Sequence, residues 1–143
     1  MVSVQRTITV DRSLEVVVAY LKDFARAQAW DPGTKSCTRL DTGPIREGST
    51  WHNVSVFKGR ETELQYELVR LEPAHLTFRG RNKTATSIDD LAFRAEGATT
   101  VITYSADIAF HGIAKLAGPF LRREFERLGD GVAERMPQAI AAF

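Results

Sequence analysis

The chain opens on a strict alternation. Val2, Val4, Arg6, Ile8 and Val10 fall on one side, and Ser3, Gln5, Thr7 and Thr9 on the other. Period two with β-branched residues predicts a half-buried strand. The period then changes, because Leu14, Val17, Val18, Leu21 and Phe24 recur at three- and four-residue steps, the stripe of an amphipathic helix. Ser13 or Asp11 supplies the oxygen that caps its first free N–H groups. A second helical stretch over 23–29 ends at Trp30-Asp31-Pro32-Gly33, where Pro disfavours helix before it and Gly permits the turn.

From Lys35 to Phe110 the pattern is extended. Strands are predicted over 35–40, 49–57, 60–72, 75–80, 84–95 and 99–110, with breaks at the 41–48 loop, Lys58-Gly59, Pro73, 81–83 and 96–98. The 60–72 segment is the clearest: Thr62, Leu64, Tyr66 and Leu68 alternate with Glu61, Glu63, Gln65 and Glu67. In 99–110, Ile102, Tyr104, Ala106, Ile108 and Phe110 share a face. After Gly112 the helical period returns as one long stripe through Ile113, Leu116, Ala117, Phe120, Leu121, Phe125, Leu128, Val132, Met136, Ala139 and Ile140. Gly118-Pro119 separates a first short turn from the main helix. Gly129 and Gly131 each cost about 1 kcal/mol relative to Ala and interior Pro137 about 3 kcal/mol, so a kink or early end is expected near Pro137.

The order is therefore strand, two short helices, six antiparallel strands, then a long helix, an α+β domain spanning 1–143. Six consecutive strands have one face to bury, and one long amphipathic helix remains to cover it. A strongly bent sheet around that helix satisfies both. A helix about 10 Å across does not fill such a concavity, so part of the interior stays open for a small molecule.

Composition narrows the use of that space. The 143 residues carry 19 basic and 18 acidic side chains, a net charge of +1, with no clustered basic excess of the kind nucleic-acid binders show. Arg122, Arg123, Arg127 and Arg135 alternate with Glu124, Glu126, Asp130 and Glu134, a solvated helix face. Cys37 is alone, which excludes an internal disulfide scaffold. No apolar run approaches the roughly 20 residues of a membrane span, and no leader pattern opens the chain, so a cytoplasmic protein is expected. The oligomeric state is left open.

Several segments resemble the START-related polyketide cyclase/dehydrase superfamily. They are Ser13-Leu14-Glu15-Val16-Val17-Val18-Ala19-Tyr20-Leu21-Lys22-Asp23-Phe24 leading into Trp30-Asp31-Pro32-Gly33, then Gly48-Ser49-Thr50-Trp51, Thr62 to Leu68, and Thr100 to Asp107. The resemblance spans essentially the whole chain. It implies the helix-grip fold, with a hydrophobic cavity between a seven-stranded sheet and the C-terminal helix. It also implies either carriage of a lipid, polyketide or aromatic metabolite, or cyclase/aromatase chemistry.

No motif settles which. His52, His75 and His111 lack metal-ligand spacing, no GxSxG elbow is present, and the glycines of the 42–48 loop precede a strand rather than a helix. No metal and no cofactor are expected. Asp89 shares a strand phase with Leu91 and Phe93, which directs a carboxylate into the cavity unless a bulge turns it to water; inside, it would serve as a proton acceptor. Tyr104 is the second catalytic candidate, through its phenol. Cavity walls are expected from Trp30, Trp51, Asn53, Tyr66, Phe78, Phe93, Tyr104, Phe120 and Phe125. For the 49–57 strand, the face carrying Trp51, Asn53, Ser55 and Phe57 is taken as the inner one, since a cavity tolerates Asn and Ser where a packed core does not. Three readings follow: a binder of a hydrophobic molecule, a cyclase, or an interaction module with a filled interior.

Overall fold

A computed structural model describes every residue except Ala117 and the side chain of Pro119. Strand β1 (Val2–Val10) leads to α1 (Leu14–Leu21), a 3-10 turn at Phe24–Arg26 and α2 (Ala27–Trp30). Strands β2 (Thr34–Arg39), β3 (Thr50–Phe57), β4 (Arg60–Glu72), β5 (His75–Arg81), β6 (Ala85–Glu96) and β7 (Thr99–Phe110) follow. Two 3-10 turns, Gly112–Leu116 and Gly118–Leu121, lead into α3 (Arg122–Ala141). The strands form one antiparallel seven-stranded sheet in the order β1-β7-β6-β5-β4-β3-β2. The α1–α2 segment thus connects the two edge strands. This is the helix-grip arrangement.

Local chemistry fixes the joints. Ser13 caps α1, its side chain accepting from Val16 N. Asp31 ends α2: one carboxylate oxygen accepts from Gly33 N at 2.9 Å and the other from Thr34 Oγ1 at 2.9 Å, which turns the chain into β2. Lys58 and Gly59 both adopt positive φ, 51° and 77°, the geometry of a two-residue hairpin between β3 and β4.

The long helix runs through Pro137 to Ala141 without stopping there. Proline removes one backbone N–H. Met136 and Ile140, both fully buried, hold the last turns against the core, and Arg12 Nη1 donates to the Ile140 and Phe143 carbonyls at 3.1 and 3.0 Å, satisfying acceptors at the helix end. The two glycines have a packing reason. A Cβ on Gly129 would lie 2.6 Å from Val4 Cγ2, and one on Gly131 2.6 Å from Pro32 Cγ, so α3 lies flush on β1 and on the turn after α2 only because these positions are bare. Arg6, on the inner phase of β1, reaches the same helix: its guanidinium bonds Asp130 at 2.8 Å and Glu126 at 3.1 Å.

The concave face is unevenly filled. At one end Val17, Leu21, Phe24 and Trp30 of the first helices pack with Trp51, Leu68, Leu76, Phe78, Leu91 and Ile102 of the sheet and with Met136 and Ile140 of α3 into a solid core. The helices after β1 therefore share with α3 the work of covering the sheet. The other end of the sheet meets the 3-10 turns and the first half of α3.

Candidate functional site

At that second end lies a cavity of about 190 Å³. Its walls come from the end of β3 and start of β4 (Ser55, Phe57, Thr62, Leu64, Tyr66), and from the start of β6 and end of β7 (Ala85, Ser87, Asp89, Tyr104, Ala106, Ile108, Phe110). Val4, the Asp31–Gly33 turn, Leu121 at the end of the 3-10 turn and the Phe125–Val132 face of α3 close it. Strand pairing places these segments together, because the start of one hairpin partner lies beside the end of the other. The space exists because the inward positions here are small. Ala85, Ser87, Ala106, Gly33 and Gly129 stand where the opposite end carries Trp, Phe and Leu.

The polar groups converge on Asp89. It keeps the inward phase of β6 and is buried at 4% exposure. Tyr104 Oη donates to its Oδ2 at 2.8 Å, and Ser87 Oγ donates to its Oδ1 at 3.4 Å. The Tyr66 hydroxyl lies beside Ser87 and the same carboxyl. Burial, and then the negative charge of Asp31, push the Asp89 pKa up to about 7; the hydroxyl donors pull the other way without compensating. Burial likewise raises Asp31, partly offset by its bonds to Gly33 N and Thr34 and by the charge of Arg135. Both phenols stay protonated, raised well above their ordinary range by burial and then by the Asp89 charge. The Tyr66 ring sits flat over Gly80, its partner in register on β5; a Cβ there would lie 2.5 Å from ring Cζ.

Of the wall residues expected from sequence, the structure places Tyr66, Tyr104 and Phe125 on the cavity, with Asp89 among them. Phe125 stacks on Phe57 at 4.9 Å and stands 6.4 Å from Phe110 at the rim. The others lie elsewhere. Trp30, Trp51 and Phe78 are fully buried in the solid core around Phe24, because the largest apolar side chains gain most by complete burial. Phe93 packs at the same end, beside Ile102. Asn53 is buried on the expected inner face of β3, but its amide is engaged by Thr34 at 3.3 Å and Ser55 at 2.6 Å and does not reach the opening. Phe120 is 81% exposed on the 3-10 turn before α3, pointing away from the interior together with Ile113 and Leu116. Ala117 of the same stripe lies outside the described residues.

Asp31 is a wall residue that the sequence pattern does not reveal, since in one dimension it only stops a helix. Among the described residues no group of side chains is arranged to hold a metal ion. His52, His75 and His111 pair instead with Glu63, Asp90 and Thr86 on the outer surface. Cys37 is buried, its thiol pushed up to about 12 by burial. No helix among the described residues is long and apolar enough to cross a membrane.

A curved sheet gripping a terminal helix, with a part-open apolar space between them, defines the class of the START-like proteins. The chain belongs to the family described as polyketide cyclase / dehydrase and lipid transport, whose model matches residues 1–141. Solved structures agree on the fold. A START superfamily protein from Mycobacterium smegmatis superposes with a TM-score of 0.79 at 14% identity, covering 98% of this chain and 97% of that one. A protein from Thermus thermophilus, TTHA0849, gives 0.78 at 15% identity, with 98% and 97% covered. The aromatase/cyclase Zhui from Streptomyces sp. R1128 gives 0.73 at 15%, with 98% and 91% covered. No curated protein matches by sequence.

Proposed function

We propose that this protein binds a hydrophobic small molecule, a lipid, polyketide or aromatic metabolite, in the space between the sheet and the first half of α3. The observation that carries this reading is the character of the cavity: an apolar wall broken by a few convergent polar groups, the usual make-up of a small-molecule site. A dry apolar cavity of about 150 Å³ suffices for a benzene ring, so about 190 Å³ suits a one- or two-ring guest or a short chain. Apolar burial supplies affinity at roughly 25 cal/mol per Å² before ordering costs.

The test is titration with 1-naphthylmethanol, an uncharged two-ring probe, followed by its own fluorescence. One-site saturable binding that disappears in Ala106→Phe, which fills the cavity from β7, is the expected result. Absence of binding to the unmodified protein by this probe and by its amine and carboxylate analogues alike overturns the reading.

The Asp89–Tyr104 pair favours a second reading, a cyclase or aromatase. A carboxyl poised near neutrality, 2.8 Å from a phenol, is suited to take and return a proton while the cavity holds a poly-ketone chain folded on itself. An enzyme of this kind loses turnover yet keeps binding in Asp89→Asn and in Tyr104→Phe. A carrier leaves every bound compound chemically unchanged.

A further inference from the structure

The cavity is polarised in one sense. Its ionisable lining consists of two carboxyl groups, Asp31 and Asp89, and two phenols, Tyr66 and Tyr104; no Lys, Arg or His lines it. Neither aspartate forms an ion pair with a described residue. Asp89 is the buried one of the two; Asp31 is half-buried and feels the charge of Arg135 without forming an ion pair with it. A packed core disfavours a buried carboxylate with no counter-ion, at a cost of several kcal/mol.

The hydrogen bonds around Asp89 sharpen the point. Tyr104 and Ser87 both donate to it, one on each oxygen, which supports its ionised form as an acceptor. Each oxygen keeps a lone pair free. Asp31 is similar: Gly33 N and Thr34 Oγ1 each take one lone pair, and the group still faces the cavity. What the set lacks is a cation in contact, since Arg135 acts on Asp31 by charge alone and Asp89 has no cation among the causes of its shift.

Resting on the reading of the space as a small-molecule site, we propose that the guest is a hydrophobic amine, its ammonium group held by Asp89 and Asp31 and its apolar body lying against Leu64, Ile108, Phe125 and Val132. A protonated amine brings several N–H donors into an enclosure where charge-assisted hydrogen bonds are strong, and it relieves the repulsion between the aspartates. A guest ending in a hydroxyl makes one neutral hydrogen bond there. A guest ending in a carboxylate adds a third negative charge and is disfavoured.

Three compounds of one ring system separate these cases: 1-naphthylmethylamine, 1-naphthylmethanol and 1-naphthoate, titrated near pH 8, where most Asp89 is ionised. Charge-assisted bonds exceed neutral ones enough that the amine is expected to bind about ten- to a hundredfold more tightly than the alcohol, and the naphthoate more weakly than either. In Asp89→Asn, which keeps the shape and the Tyr104 bond, the amine-to-alcohol ratio falls toward one; the ratio, rather than either affinity, is the readout. Equal binding of amine and alcohol to the unmodified protein overturns the proposal while leaving the pocket reading intact. A preference for the amine that survives Asp89→Asn undiminished also overturns it. Failure of all three compounds to bind overturns the pocket reading and this proposal together.

Discussion

Tyr104 donates its hydroxyl to Asp89 at 2.8 Å although the two are not opposite each other in the sheet: Asp89 pairs with Ala106 and Tyr104 with Leu91. The bond is a diagonal one on the inner face, possible because Ala106 leaves the phenol room to lean across. Tyr104→Phe removes the donor that most favours the charged carboxyl, so the Asp89 pKa rises further above about 7. Carboxyl-carbon NMR across a pH titration reads this directly. A downward movement or no movement contradicts the assignment.

The same carboxyl makes stability fall with pH. Asp89 has a folded pKa of about 7 against 3.8 ordinarily, so the native state holds a proton that the unfolded chain has lost between those values. The sheet is thus destabilised progressively as pH rises from about 4 to 7, by up to about 4 kcal/mol, and the penalty is flat above that range. The charged and titratable groups facing Asp89 are Asp31, Tyr66 and Tyr104, and the portion of α3 over it contributes only apolar side chains. Asp89→Asn removes this dependence. Urea unfolding near pH 5 and pH 8 shows a smaller difference between the two pH values in the variant than in the parent, with the variant more stable at the higher pH.

The helix glycines give a test in which propensity and packing oppose each other. Gly→Ala in a helix interior gains about 1 kcal/mol by propensity. At Gly131 the new methyl meets the rigid ring of Pro32 at 2.6 Å, and at Gly129 it meets Val4 Cγ2 at 2.6 Å. Overpacking of this kind costs about 1–3 kcal/mol, so both alanine variants unfold at lower denaturant concentration than the parent. A gain in stability at either position refutes the contact.

Gly80→Ala probes the site from beneath. Its Cβ would collide with the Tyr66 ring at 2.5 Å and lift the phenol into the cavity. Stability falls by about 1–3 kcal/mol, and 1-naphthylmethanol binding weakens with it. Tyr66→Leu in the same background restores stability, since the smaller side chain clears the new methyl.

The fold was open to reading because alternation in the strands is strict. The 60–72 and 99–110 segments are observed with the predicted ends, and the phase that put Asp89, Tyr66 and Tyr104 on the inner face is the one the structure shows. The location of the opening was not legible by the same rule. Aromatic size points to burial, and burial is greatest where nothing is open, so Trp30, Trp51 and Phe78 mark the solid end. The better signal was the reverse: small side chains at inward positions, Ala85, Ser87 and Ala106 on the strands and Gly129 on the helix stripe. Asp31 carries no signal in one dimension beyond its place in the Trp30–Gly33 helix stop, which Pro32 and Gly33 already explain. Only the return of α3 across the sheet gives it a second neighbourhood.

The division of labour around the cavity has an outcome for variation in this chain. All hydroxyl and carboxyl groups of the lining come from the sheet and the turn after α2, whereas Leu121 at the end of the 3-10 turn and Phe125, Leu128, Gly129 and Val132 of α3 contribute no polar side chain. Exchanges along the helix therefore resize the chamber and change how readily a guest enters or leaves. Exchanges on β6 and β7 rewrite which chemical head the chamber accepts, and the two properties can drift independently.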